Sequence, residues 1–206
     1  GGNVMSNGST KKRMNIHTIA KISILSALAT ILMLFEFPLP IAPPFYEMDF
    51  SEVVVLIGGF AMGPWAAVCI EGLKVLLNLI LNGTITAGVG ELGNFLIGCS
   101  FILPAVFIYQ KKKSKKNAMI GLMIGTLCMA VVGALVNYYM LIPAFIAFAN
   151  YPLDAILSAG SAIYPSIDSL FPLIVLCVVP FNLIKGLLSG TIVFLLYKKV
   201  SPLLHQ

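Results

Sequence analysis

Between residues 16 and 198 the chain is a succession of apolar runs, at about 16–37, 50–62, 64–82, 88–110, 117–149 and 169–198. All but the second reach the roughly 18 residues that mark a membrane-spanning helix. In hydrocarbon every backbone N–H and C=O must be satisfied internally, and a helix does this within one segment. The runs therefore specify an all-α integral membrane protein. Composition agrees: 59% of residues are hydrophobic and 10% are charged, outside the range of soluble domains. One membrane domain accounts for the length.

The second and third runs are separated only by Gly63-Pro64. Charge decides between five and six crossings. Lys11, Lys12, Arg13 and Lys21 crowd the first helix; Lys111, Lys112, Lys113, Lys115 and Lys116 fill the loop near 114; Lys198 and Lys199 follow the last run. Only six transmembrane helices, with a turn at Gly63-Pro64 and both termini cytoplasmic, put all three clusters inside. Segment 50–62 is short, at about 20 Å, and how far it crosses is left open. Asn150, Pro152 and Asp154 argue against a further span at 145–163. Glu36, Glu47, Asp49, Glu52, Glu91, Asp154 and Asp168 then fall at outer loops or outer helix ends.

Lys185 sits in mid-run, where a lysine costs roughly 2.5–3.5 kcal/mol to insert. Asn182 shares its helix face. Counting from the cytoplasmic ends, Asn94, Asn137, Asn182 and Lys185 lie at heights of roughly 20–30 Å, in the outer half of the bilayer. Such groups face a bundle interior or a cavity, and together they outline a site for a polar ligand arriving from outside. Interhelical amide bonding is the competing role for the asparagines. Lys185 has no acid at i±3 or i±4, so cavity water and ligand acceptors are expected to offset its charge. Lys74 has Glu71 three residues away.

The loop FEFPLPIAPPFYEMDFSEV, residues 35–53, sets four prolines among Phe35, Phe37, Phe45, Tyr46 and Phe50. Prolines stiffen it and the rings supply flat apolar surface, which suits a lid over a planar ligand; an interfacial aromatic belt is the alternative. Asp49 and Glu52 read as helix-start residues.

No GxxxxGK[ST], HExxH or GxSxG is present, and the two histidines, His17 and His205, sit near the chain's ends. No catalytic residue, metal site or cofactor is expected. Cys69, Cys99, Cys128 and Cys177 lie in apolar runs without CxxC spacing and read as reduced packing residues. The Lys111–Lys116 run reads as an anchor for topology and anionic lipid, not a nucleic-acid site. No cleavable signal peptide is visible. A ligand pocket without an energy source implies a binding subunit that depends on a partner.

The stretch YEMDFSEVVVLIGGFAMGPWAAVCIEGLKVLLNLI, GELGNFLIG at 90–98, and FNLIKG in the last helix resemble the riboflavin-binding S components of energy-coupling-factor (ECF) vitamin transporters, over about residues 14 to 200. The resemblance implies six helices, riboflavin held near the outer face of the cell membrane as the transported ligand, and partners: a membrane coupling subunit and two cytoplasmic ATPase subunits. It also implies ligand contacts at Asn182 and Lys185, with Phe35, Phe37 and Tyr46 against the flavin ring and Asn94, Asn137 and Asn150 as further candidates. Helix 1 of the family docks through small residues, here Ala20, Ser23 and Ala27, with serine in place of one alanine. On this reading residues 1–13 are a tag and flexible N-terminus, and residues 14–200 the six-helix substrate-binding domain. An S component for thiamin, biotin or pantothenate, and an integral membrane enzyme acting on a lipid, are the alternatives.

Overall fold

The computed structural model describes residues 15–204. The reading of residues 1–13 as tag and flexible start, and the charges of Lys11, Lys12 and Arg13, lie outside the described residues.

Among the described residues the secondary structure is helical, apart from one short hairpin. Helix α1 (Ile16–Leu34) is followed by strands β1 (Phe37–Pro38) and β2 (Glu47–Met48), then α2 (Ser51–Met62), α3 (Pro64–Asn82), α4 (Val89–Lys111) and α5 (Lys115–Val136). Further on come α6 (Ile142–Phe148), α7 (Leu153–Ser161), α8 (Leu170–Leu173) and α9 (Val179–Leu204). Two π-helical segments, Asn137–Leu141 and Ile174–Val178, join α5 to α6 and α8 to α9 into continuous rods. Among the described residues five helices are long and apolar enough to cross a membrane, and α2 is a shorter apolar helix.

Local chemistry explains the boundaries. The first helix ends at Leu34, three residues before the expected 37, because the proline-rich stretch after it cannot continue a helix. Gly63 ends α2 at a φ of 98°, a conformation open to glycine, and Pro64 begins α3 where its missing N–H has no helical partner to lose. Each π-helical segment lies just before a proline, Pro143 or Pro180. A proline ring displaces the carbonyl four residues earlier, here Tyr139 or Leu176, inside the widened turn. The interruption expected at Asn150–Asp154 is present: Asn150 has a φ of 53° and only the nine-residue α7 follows.

Two clusters make the interior. The larger one packs Leu56, Phe60, Ile70, Phe101, Val106 and Tyr109 between α2, α3 and α4, with Val193 of α9. The smaller gathers Met48, Ile142, Ile156, Leu173, Cys177 and Phe181 at the hairpin end. Helices α4 and α5 approach to backbone contact: a Cβ on Gly121 would lie 2.7 Å from the Ala105 carbonyl oxygen. Small residues permit that approach where apolar contact alone gives little drive to associate. At the opposite end from the hairpin, Gln110 donates to the Gly59 and Phe60 carbonyls at 3.3 and 3.0 Å, closing the end of α2.

Candidate functional site

Beneath the hairpin the helices leave a cavity of about 610 Å³, inside the range of ligand pockets. Its walls come from the end of α1, the first loop, α3, the α3–α4 loop, α4, the π segment after α5, α6 and α9. Tyr46, Asn94, Asn137, Asn182 and Lys185 all line it, so five of the residues singled out from sequence converge. Phe35, Phe37 and Asn150 are not among the lining residues. Phe35 is 73% exposed, Phe37 packs on Phe50 with centroids 5.9 Å apart, and Asn150 is exposed in the α6–α7 turn. The aromatic wall is instead Phe45, Tyr46, Phe145 and Phe181, with Phe45–Tyr46 centroids at 4.7 Å and Tyr46–Phe181 at 5.9 Å.

Two of the lining amides are bonded back along their own helices. Asn137 donates through Nδ2 to the Gly133 carbonyl at 2.8 Å, while its buried Oδ1 has no hydrogen-bond partner. Asn182 donates to the Val178 carbonyl at 3.1 Å and is 4% exposed. Both bonds run back four residues along the same helix, so the bland expectation of interhelical amide pairing does not describe them. The π segment that begins at Asn137 sets its register on the cavity wall; such widened turns recur at functional sites. The Tyr46 hydroxyl is also buried without a partner, and burial pushes its pKa up, so it stands as a neutral donor.

The counter-charge of Lys185 differs from the expectation. Rather than water and ligand alone, Asp49 Oδ2 faces Lys185 Nζ at 3.7 Å. Sequence spacing hid this acid because it comes from a residue 136 positions away, at the start of α2 rather than on the same helix. Burial works against the Asp49 charge, but Lys185, Lys74 and the bonds from Ser51 outweigh it and hold its pKa below the usual carboxylate value. Asp49 does act at the helix start, accepting the Ser51 N–H at 2.7 Å. Glu52, also read as a helix-start residue, is instead turned inward: Lys74 lies 3.1 Å from Glu52, 2.8 Å from Glu71 and 3.1 Å from the Ser51 hydroxyl. The Glu71–Lys74 spacing noted in the sequence is thus part of a buried cluster that ties α2 to α3.

Sequence reasoning missed the other polar wall: Asn78, Asn82, Thr84, Thr86 and Glu91. The signal was present in Asn78 and Asn82, one turn apart at the end of an apolar helix. Thr84 organises the loop, donating to Glu91 at 2.9 Å and accepting the Gly88 N–H at 3.0 Å. Glu36 and Glu47 complete the rim. Partial burial, then the neighbouring Glu47 charge, push the Glu36 pKa up to about 7.

A bundle of apolar helices enclosing a cavity walled by aromatic and amide side chains defines a membrane protein that binds a small polar-aromatic molecule. Residues 17–197 match the family described as ECF transporter, substrate-specific component, and the chain belongs to that family. It is a transporter subunit and not an enzyme. The riboflavin transporter FmnP of Bacillus subtilis (strain 168) is 31% identical over 194 residues, covering 94% of this chain and 96% of that protein. The riboflavin transporter RibU of Staphylococcus aureus (strain TCH60) is 34% identical over 201 residues, covering 97% and 99%. A solved structure described as the S component of a bacterial ECF transporter superposes with a TM-score of 0.71 at 33% identity, covering 92% of this chain and 98% of the other.

Proposed function

We propose that the chain is the riboflavin-binding S component of an ECF vitamin uptake transporter, holding riboflavin in the cavity beneath the hairpin. The observation that carries the reading is the pairing of the Tyr46–Phe181 aromatic wall with the amides of Asn94, Asn137 and Asn182 and the Lys185 ammonium around one cavity. A flavin has a flat ring with carbonyl acceptors and a chain of hydroxyls, and these surfaces match it. The names of the relatives support the same ligand. Asn182, Lys185, Tyr46, Asn137 and Asn94 are the contacts this geometry favours.

The domain is residues 14–200, crossing the cell membrane six times with α2 as the short crossing and both termini cytoplasmic. The lysine clusters support this orientation. Ala20, Ser23 and Ala27 lie exposed on α1, in an apolar face that includes Ile24, Leu28 and Ile31. That face is the docking surface for a membrane coupling subunit, which two cytoplasmic ATPase subunits drive. The protein takes riboflavin from the extracellular side and delivers it when docked; it does no chemistry on the vitamin.

Titration of the detergent-purified chain with riboflavin, followed by flavin fluorescence, tests the reading. Saturable quenching at submicromolar ligand supports it, and weaker binding by Lys185→Ala places the vitamin at that lysine. No quenching by riboflavin, with binding of thiamin, biotin or pantothenate instead, overturns the ligand assignment.

A further inference from the structure

A second concavity lies away from the ligand cavity, between α5 and α9 near their lysine-bearing ends. It holds about 200 Å³ and is lined by residues that include Met119, Leu122, Met123, Thr126, Gly190 and Phe194. Its lining is apolar in effect as well as in composition. The Thr126 hydroxyl donates to the Leu122 carbonyl at 2.8 Å, and that of Thr191, also in the lining, to the Leu187 carbonyl at 2.6 Å. Both hydroxyls are satisfied within their own helices. From Met119 to Thr126 it runs about 10 Å along α5, at 1.5 Å per residue.

One end of this groove is positively charged. Lys115 stands one turn before Met119 on α5, and Lys198 one turn beyond Phe194 on α9, each on the helix face of that groove residue. The Lys115 ammonium is held 4.7 Å from the centroid of the Phe194 ring, so its charge is fixed at the groove mouth. Neither α5 nor α9 contains an Asp or Glu, so neither helix supplies these lysines with an acid. The first turn of α5 adds the partial positive charge of a helix N-terminus. An apolar trough that ends in paired cations is the complement of one molecule type in a bilayer: a chain of hydrocarbon ending in an anion.

We propose that the α5–α9 groove is a binding site for an anionic phospholipid, with an acyl chain along Met119–Thr126 and the headgroup phosphate at Lys115 and Lys198. Lipid held there bridges the two longest rods of the bundle on their membrane-facing side.

The test is thermal unfolding of the detergent-purified full chain with added phosphatidylglycerol or phosphatidylcholine of the same acyl composition. Phosphatidylglycerol is expected to raise Tm by about 3 °C or more beyond phosphatidylcholine. Lys115→Gln removes that difference, while Lys112→Gln, in the neighbouring exposed loop, retains it. Gly190→Leu blocks the trough and removes the stabilisation by both lipids; a Cβ there meets Leu122 Cβ at 3.5 Å, an ordinary contact. Equal effects of the two lipids on the unaltered chain overturn the proposal. So does a loss of preference in Lys112→Gln as large as in Lys115→Gln, which marks diffuse attraction to the whole basic loop. A dimer that Gly190→Leu dissociates overturns it in favour of a second helix as occupant. Lys115→Gln changes an exposed helix end, so it carries the test even if the groove variant fails to fold.

Discussion

Lys185 on α9 and Asp49 at the start of α2 face each other across 3.7 Å, with side chains 15% and 5% exposed. The pair joins the ligand cavity to the buried cluster of Lys74, Glu52 and Glu71, because Asp49 also accepts from Ser51, whose hydroxyl accepts from Lys74. One chain of charged groups thus runs from the cavity wall into the packing of α2 against α3. A ligand that draws on Lys185 acts on a lysine whose position α2 sets.

Replacing Asp49 with asparagine leaves Lys185 without its counter-charge. Stability is expected to fall by about 1–3 kcal/mol, the cost of stranding one partner of a partly buried charged pair. Riboflavin affinity falls with it, since the ammonium is no longer held in place. Thermal unfolding and a fluorescence titration of the same preparation measure both; unchanged values in each would make the contact incidental.

Lys74→Met is more severe. It leaves the Glu52 and Glu71 carboxylates together in an apolar interior, at an expected cost of about 3–5 kcal/mol. Yield of monodisperse protein on size exclusion, with the melting temperature, checks this. The triple change of Lys74, Glu52 and Glu71 to apolar residues of matching volume is expected to recover much of the loss, because no charge then remains to be compensated.

The Glu36 carboxyl gives a pH signature. Its folded pKa is about 7 against an ordinary 4.5. Below the ordinary value it is protonated whether folded or unfolded and contributes no difference. As pH rises toward 7 the unfolded chain releases its proton first, so the folded state loses relative stability through this window. Glu36→Gln should therefore raise the melting temperature above pH 7 and leave it nearly unchanged near pH 4.5. Melts of both proteins on the two sides of that window decide it.

Asn137→Leu removes the buried Oδ1 that has no protein partner. Riboflavin binding is expected to weaken by about 5–150-fold, the loss of one buried hydrogen bond of about 1–3 kcal/mol. Melting temperature is retained, because an unpartnered buried acceptor disappears along with one helix-internal bond. Asn150→Ala, outside the cavity lining, keeps affinity within about twofold.

Gly133→Ala tests positioning without touching the cavity. A Cβ there overlaps the Asn182 amide, with Cγ only 3.0 Å away, so Asn182 must shift from its place on the wall. Affinity should drop by about tenfold, equivalent to one hydrogen bond of about 1.4 kcal/mol, and Asn182→Ala in the same background should add little further loss.

How much of this was legible in the chain depends on the distance over which each signal acts. The spans of α3, α4 and the two long rods were readable to within a few residues, because apolar length is a local property. The Gly63-Pro64 turn was readable because glycine and proline restrict their own backbone. Phe35 and Phe37 were expected against the ligand and do not line the cavity: a loop's composition shows that it is stiff and aromatic but not which rings turn inward. The α3–α4 wall was overlooked because threonines and asparagines near a helix end are ordinary loop chemistry until another helix closes over them.

By itself the sequence determined a helical membrane protein with polar groups at one depth, since bilayer insertion acts on each segment separately and leaves its cost in the residues of that segment. Only the tertiary structure decided which of those groups meet. It placed Asp49 against Lys185, turned Glu52 toward Lys74, and put Phe45, Phe145 and Phe181 around Tyr46. Each of these depends on how rods of nearly featureless apolar surface rotate against one another. That rotation is set by close contacts such as Gly121 on the Ala105 backbone and by pairing charges across helices, interactions between residues far apart in the chain.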